Sequence, residues 1–143
     1  MGFIFITIAA IIAAFSVGLG AFAAHGLQAH LSAGSLEVFK TAVHYQFIHA
    51  LALFILGVFM VLIGTQAAPG TTISSGFYIA GVAWIFGILL FSGSLYGLTL
   101  TEWRWLGPVT PIGGLSFIIG WLSLAVASWR MAAQQALTNS GQV

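Results

Sequence analysis

The chain has 143 residues, of which 60% are hydrophobic and 3% are charged, with a formal net charge of +1. Soluble domains carry about 25% charged residues, so this composition excludes a soluble globule and points to an integral membrane protein. Its length fits a single domain, residues 1–143. The charged set of Glu37, Lys40, Glu102, Arg104 and Arg130 holds no basic cluster for nucleic acid, and the lack of cysteine excludes disulfides and thiolate chemistry.

The N-terminal stretch "MGFIFITIAAIIAAFSVGLGAFAAHG" lacks the basic n-region of a signal peptide, and its apolar run is longer than a usual h-region. It is expected to be a retained first span over residues 3–24, since about 20 apolar residues cross a bilayer. Ala10, Ala14, Gly18, Ala21 and His25 recur at helical spacing, which predicts a small-residue stripe packed against another helix, with His25 turned toward protein.

The next stretch, "HGLQAHLSAGSLEVFKT", predicts a partly helical interfacial segment over 26–42. Gly26 is expected to end the first helix, and Leu27 to Leu31 to form one turn. Ser35 is then expected to cap a second helix of about 30 residues whose first turns lie among headgroups, ahead of a span over 43–64. Near its start that helix carries a polar collar of His44, Tyr45, Gln46 and His49. Thr41, Tyr45 and His49 share one face, whereas His44 is turned from His49 by roughly 140°.

The stretch "TQAAPGTTISSG" breaks the second span, and a third is predicted over 77–98, with Gly93 and Gly97 as a GxxxG packing pair beside Ser92 and Tyr96. "TEWRW" ends it. A fourth span is predicted over 110–129, capped by Thr110 with Pro111 in its first turn, followed by a polar tail over 131–143. Trp103, Trp105 and Trp129 sit at polar boundaries, as interfacial aromatics do. The expected fold is all-α: an integral membrane four-helix bundle made of two transmembrane hairpins.

The residues that carry polar chemistry are His25, Thr41, Tyr45, His49 and Tyr96. The leading reading is a structural hydrogen-bond cluster near one membrane surface that ties the first loop to the bundle. The alternative is a polar pocket that meets a ligand, a lipid headgroup or a partner. A metal or haem held by His25 and His49 would need a further ligand, and Glu37 and Glu102 are the only carboxylates, so no metal and no cofactor are expected. With no aspartate and no nucleophile motif, no catalytic residue and no enzymatic activity are expected.

The segments "GAFAAHGL", "FKTAVHYQFIHALAL", "SGSLYGL" and "RWLGPVTPIGGLSFIIGW" resemble the signature segments of the YgdD/YwdK-like family of small four-helix bacterial inner-membrane proteins, a domain of unknown function. The resemblance covers about Gly18 to Trp121. It implies a multi-pass plasma-membrane protein and supplies no activity or catalytic residue. The expected function is a non-enzymatic accessory or interaction subunit, in a larger membrane complex or a homo-oligomer within the lipid bilayer. An oligomeric channel or transporter for an ion or small molecule is the alternative, ahead of a histidine-based cofactor carrier. Lys40 and Arg104 on one side against Arg130 on the other lean toward cytoplasmic hairpin loops, with both termini outside.

Overall fold

The computed structural model describes residues 1–66 and 73–140. Its helices are α1 (Gly2–His25), α2 (Ala33–Gln66), α3 (Ser75–Gly87), α4 (Gly93–Thr101) and α5 (Val109–Ser140). A π-helical turn, Ile88–Ser92, joins α3 to α4 in one continuous span, and a 3₁₀ turn, Arg104–Leu106, precedes α5. By length and composition, four segments can cross a membrane: Gly2–His25, Ala33–Gln66, Ser75–Thr101 and Arg104–Thr138. The chain is an all-α, four-span membrane bundle. The breaker residues Pro69 and Gly70 lie outside the described residues, as do the last residues of the 131–143 tail; the tail up to Ser140 continues α5.

Local chemistry sets the helix ends. Gly26 closes α1, its N–H bonding the Phe22 carbonyl at 2.8 Å. Leu27 to Leu31 then form a single turn, anchored by Leu27, which is buried with Ala23 and Phe39. The cap of α2 is Ser32 rather than Ser35: its hydroxyl accepts from the Ser35 N–H at 3.1 Å and its carbonyl from the Leu36 N–H. Thr110 does not cap α5. The helix starts at Val109, and the Thr110 hydroxyl instead meets Ser94 across the bundle at 2.7 Å. Glu102, at φ 57°, ends α4 in the left-handed conformation.

The second and third spans are the most enclosed, at 39% and 44% buried, while the first and fourth are each 17% buried. The two middle spans therefore form the centre, with α1 laid against α2 and α5 against α3 and the π turn. The main core gathers Phe5, Leu53, Met60, Phe77, Trp84 and Phe117.

Small residues do bring the helices together, as helix association in lipid requires, but at other positions than the predicted stripe. Ala10, Ala14, Gly18, Ala21 and His25 are all exposed, and a Cβ on Gly18 would meet nothing within 4 Å. The close approach of α1 to α2 is made by Gly2 and Gly57, where a Cβ on Gly57 would stand 2.9 Å from the Gly2 carbonyl oxygen. Between the second hairpin's helices, Gly113 lets α5 meet the backbone of Phe91, and Gly76 faces Ala127. Gly93 is likewise open, whereas Gly97 packs under Leu106. The reason is general: in a helix without a polar side, small residues on either face look alike in the sequence.

Candidate functional site

The collar opens into two polar layers inside the bundle. The upper layer centres on Gln46, which is 6% exposed. Its amide N–H donates to the Ile12 carbonyl of α1 at 3.3 Å, and its Oε1 accepts from the Tyr96 hydroxyl of α4 at 2.9 Å. A backbone carbonyl can only accept, so the amide orientation is fixed. One turn away, the Ser92 hydroxyl donates to the Ala42 carbonyl at 2.9 Å, tying the last residue of the π turn to α2. The π turn itself is closed by the Gly93 N–H reaching the Ile88 carbonyl. Such wide turns are common where a helix must present a side chain that regular geometry would misplace.

The lower layer centres on His49, 3% exposed and roughly 14 Å along the helix from Lys40. Its Nδ1 lies 2.8 Å from the Tyr45 carbonyl, and its Nε2 accepts from the Trp121 indole N–H at 3.2 Å. An indole N–H only donates, so Nε2 carries the lone pair and Nδ1 the proton. The imidazole stacks on Phe117, with centroids 3.5 Å apart and planes 9° from parallel. Trp84 closes the layer, 4.6 Å from Trp121 between ring centroids. Its buried indole N–H has no hydrogen-bond partner among the described residues, and its pyrrole edge lies against Gly120.

The predicted cluster is thus divided. His49 and Tyr96 enter the bundle, but into different layers. Tyr45 is 41% exposed and stacks its ring near Phe91 and Phe117. Thr41 is exposed and, among the described residues, its hydroxyl bonds only its own helix at the Glu37 carbonyl. His25 is exposed at the end of α1, not turned into protein. His44, also exposed, lines a cleft of about 440 Å³ between α1 and α2 together with Lys40, whose ammonium pairs with Glu37 at 2.8 Å. Among the described residues, no three His, Asp or Glu side chains gather closely enough to share an ion.

Gln46, Ser92 and Trp121 are the residues that sequence reasoning left unassigned. The buried face of α2 runs through Ala42, Gln46, His49 and Leu53, one position round from the Thr41–Tyr45–His49 stripe. The usable signal was chemical. A primary amide costs more in hydrocarbon than a tyrosine near the interface, so Gln46 is the collar residue most in need of an interior partner.

The family described as "Protein of unknown function (DUF423)" matches residues 19–114. The chain belongs to the DUF423 family. Among its relatives are the UPF0382 membrane protein SAB0533 of Staphylococcus aureus, 46% identical over 90% of this chain and 98% of the relative, and the UPF0382 membrane protein YwdK of Bacillus subtilis, 41% identical over 87% and 95%. The UPF0382 membrane protein SERP0230 of Staphylococcus epidermidis is 44% identical over 90% of the chain. No solved structure matches. The DUF423 match contains Gln46, His49, Ser92 and Tyr96 but not Ile12, Phe117 or Trp121, and the relatives' names together with the four apolar spans make this a multi-pass bacterial membrane protein.

Proposed function

We propose that this protein is a non-enzymatic accessory or interaction subunit of the bacterial plasma membrane, and that it self-associates through the outward face of α1. The observation that supports this reading is the open stripe of Ala10, Ala14, Gly18 and Ala21 on the least enclosed pair of spans. The stripe has no side chain beyond Cβ and no neighbour at Gly18. Small-residue faces are the usual contact surface between transmembrane helices, because they let backbones approach. Such a face is complementary to itself across a two-fold axis, so a second α1 is the occupant it fits. The interior polar side chains Gln46, Tyr96, Ser92 and His49 speak for the same reading, since each is bonded to another or to backbone rather than strung along a path.

Gentle solubilisation followed by mass analysis tests it. The wild type is expected to run as a homo-oligomer, and Gly18→Leu to run as a monomer with the same unfolding temperature. A monomeric wild type without stoichiometric companions would end the proposal. With four spans, both termini are expected on one side, outside, opposite the loops of Lys40 and Arg104; reporter fusions at the two ends should agree with each other.

A further inference from the structure

A separate feature lies on the other side of α1. Between α1, α2 and the third span is a cavity of about 290 Å³, bounded by apolar side chains including Phe15, Leu19, Ile85 and Ile88. Gln46 and Tyr96 are the only polar side chains among its lining residues, and none of those residues is charged. We propose that this cavity binds a neutral, carbonyl-bearing lipid-phase molecule, held by the second amide N–H of Gln46, whose orientation the Tyr96 hydroxyl sets.

Three observations carry the proposal. The first is an unused hydrogen-bonding capacity in an apolar setting. Among the described residues, only one of the two Gln46 amide N–H donors is engaged, by Ile12, and the one proton of the Tyr96 hydroxyl is spent on Gln46. A donor left unmatched beside hydrocarbon is costly, and a carbonyl oxygen would satisfy it. The second is preorganisation. Gln46 is held between two helices before any ligand arrives, its carbonyl occupied by Tyr96 and one N–H by Ile12, so the remaining donor has a set direction. The third is space created by the backbone. The π turn contributes Ile88 and Leu89 to the wall, and Gly93 follows with open room where a Cβ would stand. A concave apolar site with a few fixed polar groups is the usual form of a small-molecule pocket.

The ligand class follows from charge and depth. With no cation or carboxylate in the lining, an ionic headgroup would go unpaired, so the bound portion is neutral. Gln46 lies roughly 9 Å from Lys40 along α2, about one turn inside the span expected over 43–64. Two lipid-phase sources present a carbonyl there: the ring of a prenylated quinone and the acyl ester of a glycerolipid. The proposal rests on the cavity alone and is independent of self-association through α1.

The test uses the full chain in a detergent that has no carbonyl group, titrated separately with a short-chain alkyl benzoquinone and with a short-chain diacylglycerol, and read by calorimetry. Saturable one-to-one binding of either probe is expected, and the probe that binds identifies the source. Gln46→Leu should weaken that binding about tenfold, the scale of one lost buried hydrogen bond. Gln46→Leu also removes the bonds to Ile12 and Tyr96, so Gly93→Leu is the second variant: Gly93 lines the cavity and an added Cβ meets no neighbour within 4 Å, so the larger side chain takes free space at its wall. Binding lost in Gly93→Leu with an unchanged unfolding temperature supports the site. No saturable binding of either probe to the wild type, or binding unaltered by Gly93→Leu, overturns it.

Discussion

Trp121 Nε1 donates to His49 Nε2 at 3.2 Å, joining α5 to α2 through two side chains that are 72 positions apart. This bond fixes the tautomer and the ring plane of an imidazole set deep in the spans. Trp121→Phe keeps the aromatic bulk and removes the donor, leaving a buried ring nitrogen unsatisfied. The expected loss is about 1–3 kcal/mol, read as a lower unfolding midpoint in detergent. Nitrogen chemical shifts of labelled His49 should show the proton on Nδ1; a proton on Nε2 would mean that the Trp121 bond is not made.

The glycine contacts give a contrast between two positions. Gly57→Ala places a Cβ 2.9 Å from the Gly2 carbonyl and 2.8 Å from Ile6, so α1 must move outward. A cost of about 1–3 kcal/mol is expected, as for overpacking in a tight core. Gly18→Ala, on the open face, is expected to stay within about 0.5 kcal/mol of the wild type. Equal effects in chemical denaturation would place the α1–α2 contact elsewhere.

Ser92→Ala removes a hydroxyl that reaches from the π turn to the Ala42 carbonyl. That carbonyl remains within its helix, so only one net hydrogen bond is lost, and about 0.5–1.5 kcal/mol is expected. Hydrogen exchange should rise at the amides of the π turn before it rises in α5. Uniform exchange along the whole span would show that the hydroxyl does not hold the turn.

Glu102 takes the left-handed conformation at the end of α4 without the freedom of glycine. Its side chain is exposed, and the strain is local. Glu102→Gly is therefore expected to stabilise the protein by about 1 kcal/mol, offset in part by added freedom of the unfolded chain. A lowered unfolding temperature would show that the carboxylate has a role the backbone does not reveal.

The four spans were legible because hydrophobic run length is a strong constraint in a bilayer. The punctuation at Gly26 and "TEWRW" lies where helices end. The inward faces were harder to read. α1 presents apolar or small residues all round, and a helix with lipid on one side and protein on the other need not vary in polarity between them. The stripe through Gly18 was therefore as plausible as the true contact through Gly2, Phe5 and Ala9. On α2 the error was one position of phase, which put Tyr45 where Gln46 belongs. The pairing of Gln46 with Tyr96 was not readable at all, since it depends on a turn of unusual width that no residue in "ILLFS" announces.

That turn makes the third span a helix with one residue more than its length along the bundle requires. In a regular α-helix that extra residue would advance everything after it by about 100° around the axis, and the wide turn absorbs the advance. Ser94 and Tyr96 therefore face Thr110 and Gln46 only because the advance was absorbed ahead of them. Deleting a single residue such as Leu89 would let the turn close as regular α-helix with both side chains still on their partners, whereas closing it as α-helix with every residue kept would swing both away. In this protein the count of residues within a helix, as much as their identity, determines which groups meet.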